Sequence, residues 1–223
     1  MLNLYTYYAQ IVHMKRLRDR VEGEEFDYQT LMDVLSNYAE PRQRVTALLR
    51  SGEIIRVKKG LYVFGSQNRR RPFCRELLAN LMYGPSCVSL ETALAYHGLI
   101  PERVDALTSV TTGRARRFET PVGLFIYRPT PDLSVGMRQM TEGGVSFLMA
   151  TPERALADKL RADRSGVFQS QRELEVYLTE TLRMERDTLL QLNAEDLCEL
   201  AKTLRSKKVA LLAAWVKSGE KRA

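Results

Sequence analysis

Pro41-Arg42-Gln43-Arg44-Val45-Thr46-Ala47-Leu48-Leu49-Arg50-Ser51-Gly52 is followed, after Glu53, by Ile54-Ile55-Arg56-Val57, Lys58-Lys59-Gly60 and Leu61-Tyr62-Val63-Phe64. Proline is preorganised for the first turn of a helix, and Val45, Leu48 and Leu49 recur at helical spacing. The first piece therefore reads as a helix that buries those three side chains, and Ser51-Gly52 ends it with a residue that tolerates positive φ. The two runs that follow are β-branched and aromatic about a Lys-Lys-Gly turn, which predicts a hairpin.

Working outward, Leu4, Tyr8, Ile11, Met14, Leu17 and Val21 keep helical spacing and predict an amphipathic helix over roughly the first 20 residues, ending near Gly23. Asp27 is placed to cap a second helix with Leu31, Val34 and Leu35 inside, and 36–40 turns the chain toward Pro41. Three helices followed by a basic two-stranded ribbon is the order of a winged helix-turn-helix, expected over residues 1–68.

The chain carries a net charge of +7, and its location matters more than its total. Between Arg42 and Arg71 stand nine basic residues, namely Arg42, Arg44, Arg50, Arg56, Lys58, Lys59, Arg69, Arg70 and Arg71, against the single acid Glu53. That window alone holds +8, and the rest of the chain sums to −1. A basic excess confined to one surface is a footprint for a polyanion, because lysine and arginine displace counterions condensed on nucleic acid. A solvated charged face is the plainer reading of such a run.

Helical geometry assigns roles within it. With Val45, Leu48 and Leu49 inward, Gln43, Thr46, Ala47 and Arg50 point outward, Arg44 lies on a flank and Arg42 nearer the core edge. Glutamine pairs with adenine and arginine with guanine in the major groove, so Gln43 and Arg44 are the base-reading candidates. Thr46 and Arg50 are candidates for base or phosphate contact, and Lys58 and Lys59 at the hairpin tip for backbone contact that sets affinity more than sequence preference. Residues 66–72 (Ser-Gln-Asn-Arg-Arg-Arg-Pro) have no apolar side chain and end in proline, which suits an exposed linker before a second domain at 73–223.

That second part reads as a mixed α/β domain with a helical C-terminal extension, so the whole chain is expected to be α+β. Helices are predicted at 73–83 and 90–97, a short strand at Cys87-Val88, and strands at 104–112, 117–120, 123–127 and 145–149. Thr151-Pro152-Glu153 opens another helix with a cap, a first-turn proline and an acid at the positive end of the dipole. From Gln169 on, leucines at helical spacing predict a helical array.

Four runs then carry a resemblance. Ser89-Leu90-Glu91-Thr92-Ala93-Leu94-Ala95-Tyr96-His97-Gly98-Leu99-Ile100-Pro101-Glu102 comes first, and Thr108-Ser109-Val110-Thr111-Thr112 second. Arg117-Phe118-Glu119-Thr120-Pro121-Val122-Gly123 and Ala150-Thr151-Pro152-Glu153-Arg154-Ala155-Leu156-Ala157-Asp158 follow in order. Together they resemble the AbiEi family of antitoxins and transcriptional regulators, over about residues 26–161. The resemblance implies a DNA-binding N-terminal domain that represses its own operon at inverted repeats. It also implies an antitoxin C-terminal domain that neutralises a nucleotidyltransferase-like toxin, without a stable complex, in an abortive-infection toxin–antitoxin system. Ser89, Glu91, His97, Phe118, Thr120, Thr151, Glu153 and Asp158 are the motif residues that such a domain would use. The Tyr5-Thr6-Tyr7-Tyr8 segment and the charged C-terminal helices match no motif of that family.

The same motif residues have plainer readings. His97 favours a helix end before Gly98, Glu91 and Thr151 suit helix starts, and Arg114, Arg116 and Arg117 form either a second phosphate-contacting patch or a surface for an acidic partner.

Of the 223 residues, 44% are hydrophobic and 27% charged, ordinary globular usage that disfavours wholesale disorder and a membrane-embedded body. Cys74, Cys87 and Cys198 are widely separated, giving neither a disulfide framework nor a zinc-ligand spacing, so a reducing cytoplasm is expected. Residues 1–10 lack a signal-peptide pattern, and 209–216, the longest apolar stretch, is too short to span a bilayer. A cytoplasmic protein without a membrane partner is the expectation. His-Glu-x-x-His, Cys-x-x-Cys, a phosphate loop ending in Lys-Ser/Thr and Gly-x-Ser-x-Gly are all missing, so neither an enzyme nor a metal or cofactor is expected. An alternative is a transcription regulator with no toxin partner, whose second domain senses a ligand or oligomerises. A third is a nucleic-acid enzyme using Glu91, Asp105, Glu153 and Asp158 on magnesium. Oligomeric state stays open, a monomer binding DNA cooperatively being one arrangement.

Overall fold

The computed structural model describes residues 17–164, 166 and 168–220. The chain is mixed α and β, with ten α-helices and two sheets among the described residues, and it divides between Cys74 and Arg75 into two compact units. The helix expected over the first ~20 residues is described only at Leu17–Arg20 (α1); the remainder of that expectation lies outside the described residues.

In the first unit, Glu25–Asp27 (β1) leads into Tyr28–Val34 (α2), Pro41–Arg50 (α3), Ile54–Lys58 (β2) and Leu61–Phe64 (β3). Asp27 caps α2 by accepting a hydrogen bond from the Thr30 amide at 2.7 Å, and Pro41 occupies the first turn of α3. Gly52 (φ 73°) stops α3 and Gly60 (φ 89°) turns the hairpin, both in the left-handed region where a Cβ is costly. The three strands pair antiparallel in the order β1-β3-β2. The short β1 is an addition to the sequence expectation: Glu25-Phe26-Asp27 has a single apolar residue, too little for an alternation to show.

Leu31, Val34, Leu35, Val45, Leu48 and Ile54 form the core with Phe26 and Phe64, whose rings sit 4.8 Å apart. Leu49 is only half-buried. Arg18 lies 4.4 Å over the Phe64 ring and pairs at 3.1 Å with Glu24, which is itself buried.

The stretch 66–72, expected as an exposed linker, leaves Ser66, Gln67, Arg70 and Pro72 exposed but is tied back onto the first unit. Glu24 accepts hydrogen bonds from the Arg70 and Arg71 amides at 3.1 and 3.3 Å, and Glu25 pairs with the Arg71 guanidinium at 3.3 Å. Two consecutive buried or half-buried glutamates therefore draw the basic run back onto the first unit, a long-range pairing that local composition does not reveal.

The second unit is a three-layer arrangement. Its sheet has six strands, Ser86–Val88 (β4), Leu107–Thr111 (β5), Arg116–Thr120 (β6), Gly123–Pro129 (β7), Met137–Glu142 (β8) and Val145–Ala150 (β9), in the order β6-β7-β5-β4-β9-β8. β5 runs parallel to β7, and β4 parallel to β9; the other pairs are antiparallel. β8 was not foreseen because Met-Arg-Gln-Met-Thr-Glu at a sheet edge is solvated and does not alternate, and β5 is shorter than the 104–112 run expected.

Successive strand residues face opposite sides, so the sheet's two covers can be read from side chains. Tyr127 on one face donates to the Ala79 carbonyl of Arg75–Met82 (α4) at 2.8 Å. Thr108 on the other accepts from the Thr92 amide in Leu90–Tyr96 (α5) at 3.0 Å, and α5 packs on Pro152–Ala162 (α6). Beyond α6 come Gln171–Val176 (α7), which continues as a π-helical turn at Tyr177–Thr181, then Arg186–Leu190 (α8), Ala194–Thr203 (α9) and Lys207–Glu220 (α10). Their leucines Leu174, Leu178, Leu189, Leu197, Leu200 and Leu212 are buried, as helical spacing requires. No described helix is long and apolar enough to cross a membrane.

Candidate nucleic-acid interface

Burying Val45 and Leu48 turns the opposite side of α3 to solvent, and Arg42, Gln43, Thr46, Ala47 and Arg50 are all exposed there. The face contains no acid. Thr46 also donates to the Arg42 carbonyl at 3.2 Å, one turn back along the helix. Downstream, Arg56, Lys58 and Lys59 are exposed on β2 and its turn, where the pairing shifts between Arg56 and Lys58. Such an irregularity increases local twist at the hairpin tip.

Arg44, the other base-reading candidate, behaves differently from Gln43. Its guanidinium turns back over Tyr38, 5.9 Å from the ring centroid, and its Nε is buried with no partner. It lines a cavity of about 290 Å³ with Leu17, Arg20, Leu35, Leu48 and Phe64. The basic run is also partly compensated: Arg70 pairs with Asp19 at 3.4 Å, Arg71 with Glu25, and Arg69 stacks 5.1 Å from Phe73. The arginine triplet is thus largely engaged within the first unit, and α3 and the hairpin carry the exposed basic side chains.

Within the second unit, Arg114, Arg116 and Arg117 are exposed. Arg116 and Arg117 are neighbours on β6 and so project to opposite faces, and Arg117 pairs with Glu119 at 2.9 Å. The structure does not gather these three side chains on one face.

The motif residues converge on a different feature, a polar knot inside the unit. Thr151 caps α6 by accepting from the Arg154 amide at 3.3 Å. The fully buried Arg154 donates through Nε to Asp158 Oδ2 at 2.9 Å and through Nη1 to the Val135 carbonyl at 2.8 Å. Its Nη2 reaches Thr130 Oγ1 at 2.9 Å and the Asp132 carbonyl at 2.7 Å. Ser89, which starts α5 without capping it, instead donates its hydroxyl to the same Asp158 oxygen at 2.8 Å. Burial pushes the Asp158 carboxyl above the ordinary carboxylate range, against the pull of the Arg154 charge and these hydrogen bonds. Burial likewise raises the Cys87 thiol to about 12, with the nearby Asp158 charge adding to it, which keeps this cysteine protonated and inert.

The remaining motif residues tie elements together. His97 Nε2 donates to the Ala150 carbonyl at 2.8 Å, linking the end of α5 to the end of β9. Glu91 pairs with Lys159 at 2.8 Å, joining α5 to α6, and Glu153 accepts from the Asn193 amide at 3.1 Å. Phe118 packs against Tyr83 and Tyr127, at 6.1 and 5.7 Å, and Thr120 donates to the Gly123 carbonyl at 2.7 Å to close the β6–β7 turn.

Sequence reasoning missed Arg154 as the hub. Its signal was present: an Arg–Asp pair at i,i+4 in a helix whose intervening residues are Ala155, Leu156 and Ala157, apolar on all sides and therefore buried on all sides. The four carboxylates weighed for magnesium do not form a cluster, and no group of three or more His, Cys, Asp or Glu able to hold a metal occurs among the described residues. No protein-family model and no curated protein matches this chain.

Proposed function

We propose that the first unit is a winged helix-turn-helix that docks α3 in the major groove of double-stranded DNA and lays the β2–β3 hairpin on the backbone. The observation that carries this reading is the acid-free exposed face of α3 (Arg42, Gln43, Thr46, Ala47 and Arg50) followed by a hairpin tipped with Lys58 and Lys59. In this docking Gln43 reads a base edge, Arg42 and Arg50 meet bases or phosphates, and the two lysines neutralise phosphates.

With the resemblance of the Ser89 and Ala150 runs to AbiEi antitoxins, this makes the chain a cytoplasmic autorepressor whose second unit neutralises a nucleotidyltransferase-like toxin. The polar knot supports the second half of the reading indirectly. Ser89 and Asp158 join the start of α5 to α6, with Thr151 and Arg154 bracing α6 itself, and this reading assigns the buried motif positions a structural role beneath the antitoxin surface.

The test is a two-readout assay in cells that carry the adjacent gene and a promoter fusion. Gln43→Ala with Lys59→Ala is expected to abolish repression while leaving protection from the neighbouring gene product intact. Loss of protection in that variant would contradict a division of labour between the two units.

A further inference from the structure

We infer that the second unit binds a nucleoside-phosphate-class ligand in a cleft of about 1140 Å³ between its sheet and the α5–α6 layer. The parallel register pairs Thr108 with Ile126 and Val110 with Arg128, so Ile126 and Arg128 face the same side of the sheet as Thr108. On the opposite face Phe125 and Tyr127 are buried, but Ile126 is only half-buried and Arg128 is exposed: the helical layer leaves this corner open.

The cleft has two chemically distinct parts. Ala106, Val104, Ile126 and the buried Leu90 supply an apolar floor. At the rim stand Arg128, Arg161 and Arg164. The Arg128 and Arg164 side chains have no hydrogen-bond or ion-pair partner among the described residues, and Arg161 is held at the rim by one hydrogen bond to the Pro129 carbonyl at 2.9 Å.

Glu91 is neutralised by Lys159, and the Asp163 carboxylate, which accepts from the Tyr177 hydroxyl at 2.6 Å, is one negative charge against the three rim arginines. The excess is therefore cationic and guanidinium in kind, suited to bidentate recognition of phosphate. A lone phosphate would leave most of the volume and all of the apolar floor unused, whereas a nucleotide places a base on the floor and its phosphates on the arginines.

Backbone strain points to the same place. Leu90 has φ +59°, rare for a branched apolar residue, and it sits next to Ser89, whose bond to Asp158 pins it. The buried knot thus sets one wall of the cleft. This inference stands apart from DNA binding by the first unit.

Titration calorimetry of the full chain with ATP, GTP and pyrophosphate at fixed ionic strength tests it. One-to-one binding of a nucleotide is expected, at least tenfold tighter than pyrophosphate. Arg128→Ala and Arg161→Ala should each weaken it about tenfold or more without altering the thermal melt, while Arg138→Ala on the far edge strand changes nothing. Absence of nucleotide binding, pyrophosphate binding as tightly as nucleotide, or indifference to both rim variants would each overturn the proposal. Binding of a single-stranded oligonucleotide but no mononucleotide would also overturn it.

Discussion

Asp158 and Arg154 show how much a single buried residue can decide. Removing one member of a buried, hydrogen-bonded ion pair strands the other, at a cost of about 3–5 kcal/mol, while replacing both by apolar residues is far milder. Asp158→Ala should therefore lower the urea midpoint of the second unit strongly, and Arg154→Met with Asp158→Leu should recover most of the loss. Trp215, the chain's one tryptophan and buried in α10, reports that transition by fluorescence. A single variant as stable as the parent would remove the knot from the account.

Asp27 makes a pH-dependent contribution in the first unit. Its bonds from Thr30 hold the carboxyl below the ordinary 3.8, so the folded state prefers the ionised form. The stability it adds is fully present above about pH 5 and is lost as pH falls through the lowered folded value. Asp27→Asn keeps the cap acceptor without the charge, so the difference in stability between parent and variant should change between pH 5 and pH 2 and stay flat above. A constant difference across that whole range, followed by chemical denaturation, would contradict the assignment.

At the level of elements, what the sequence revealed depended on whether an element buries one face. α3 was legible because its apolar positions are three and four apart and its start and stop carry proline and glycine; the hairpin was legible because β-branched and aromatic runs flank a glycine turn. β8 and β1 were not, since a solvated edge strand and a three-residue strand leave no period to read. The exposed site residues Gln43, Thr46 and Arg50 followed directly from the helix phase, because a residue opposite a buried face can only be outside. Arg154 did not, because arginine reads as solvent-facing until a partner four residues on is weighed with the apolar residues between. The anchoring of the 66–72 run was hidden for the same reason: its partners, Glu24 and Glu25, lie more than 40 residues away.

On the scale of the whole molecule, each unit owns a core. Leu48 is buried among Leu31, Val45 and Phe64, with no part in the packing of Leu200, Leu204 and Val209 in the second unit. Leu48→Ala should cost about 2–5 kcal/mol. Amide hydrogen exchange should show lost protection up to Cys74, and the Trp215 transition should stay where it is. A parallel loss across residues 75–220 would mean that the two units fold as one.

The account's central claim is that the basic surface of α3 and the hairpin engages DNA by sequence. Binding of the purified chain to its own upstream DNA and to a scrambled duplex, followed across a salt series, tests it most directly. The prediction is a preference for the upstream site that Gln43→Ala reduces, together with a log–log salt slope that Lys59→Ala lowers by about 1. Equal binding to both duplexes, or binding to neither, would contradict the claim and leave that surface a solvated one.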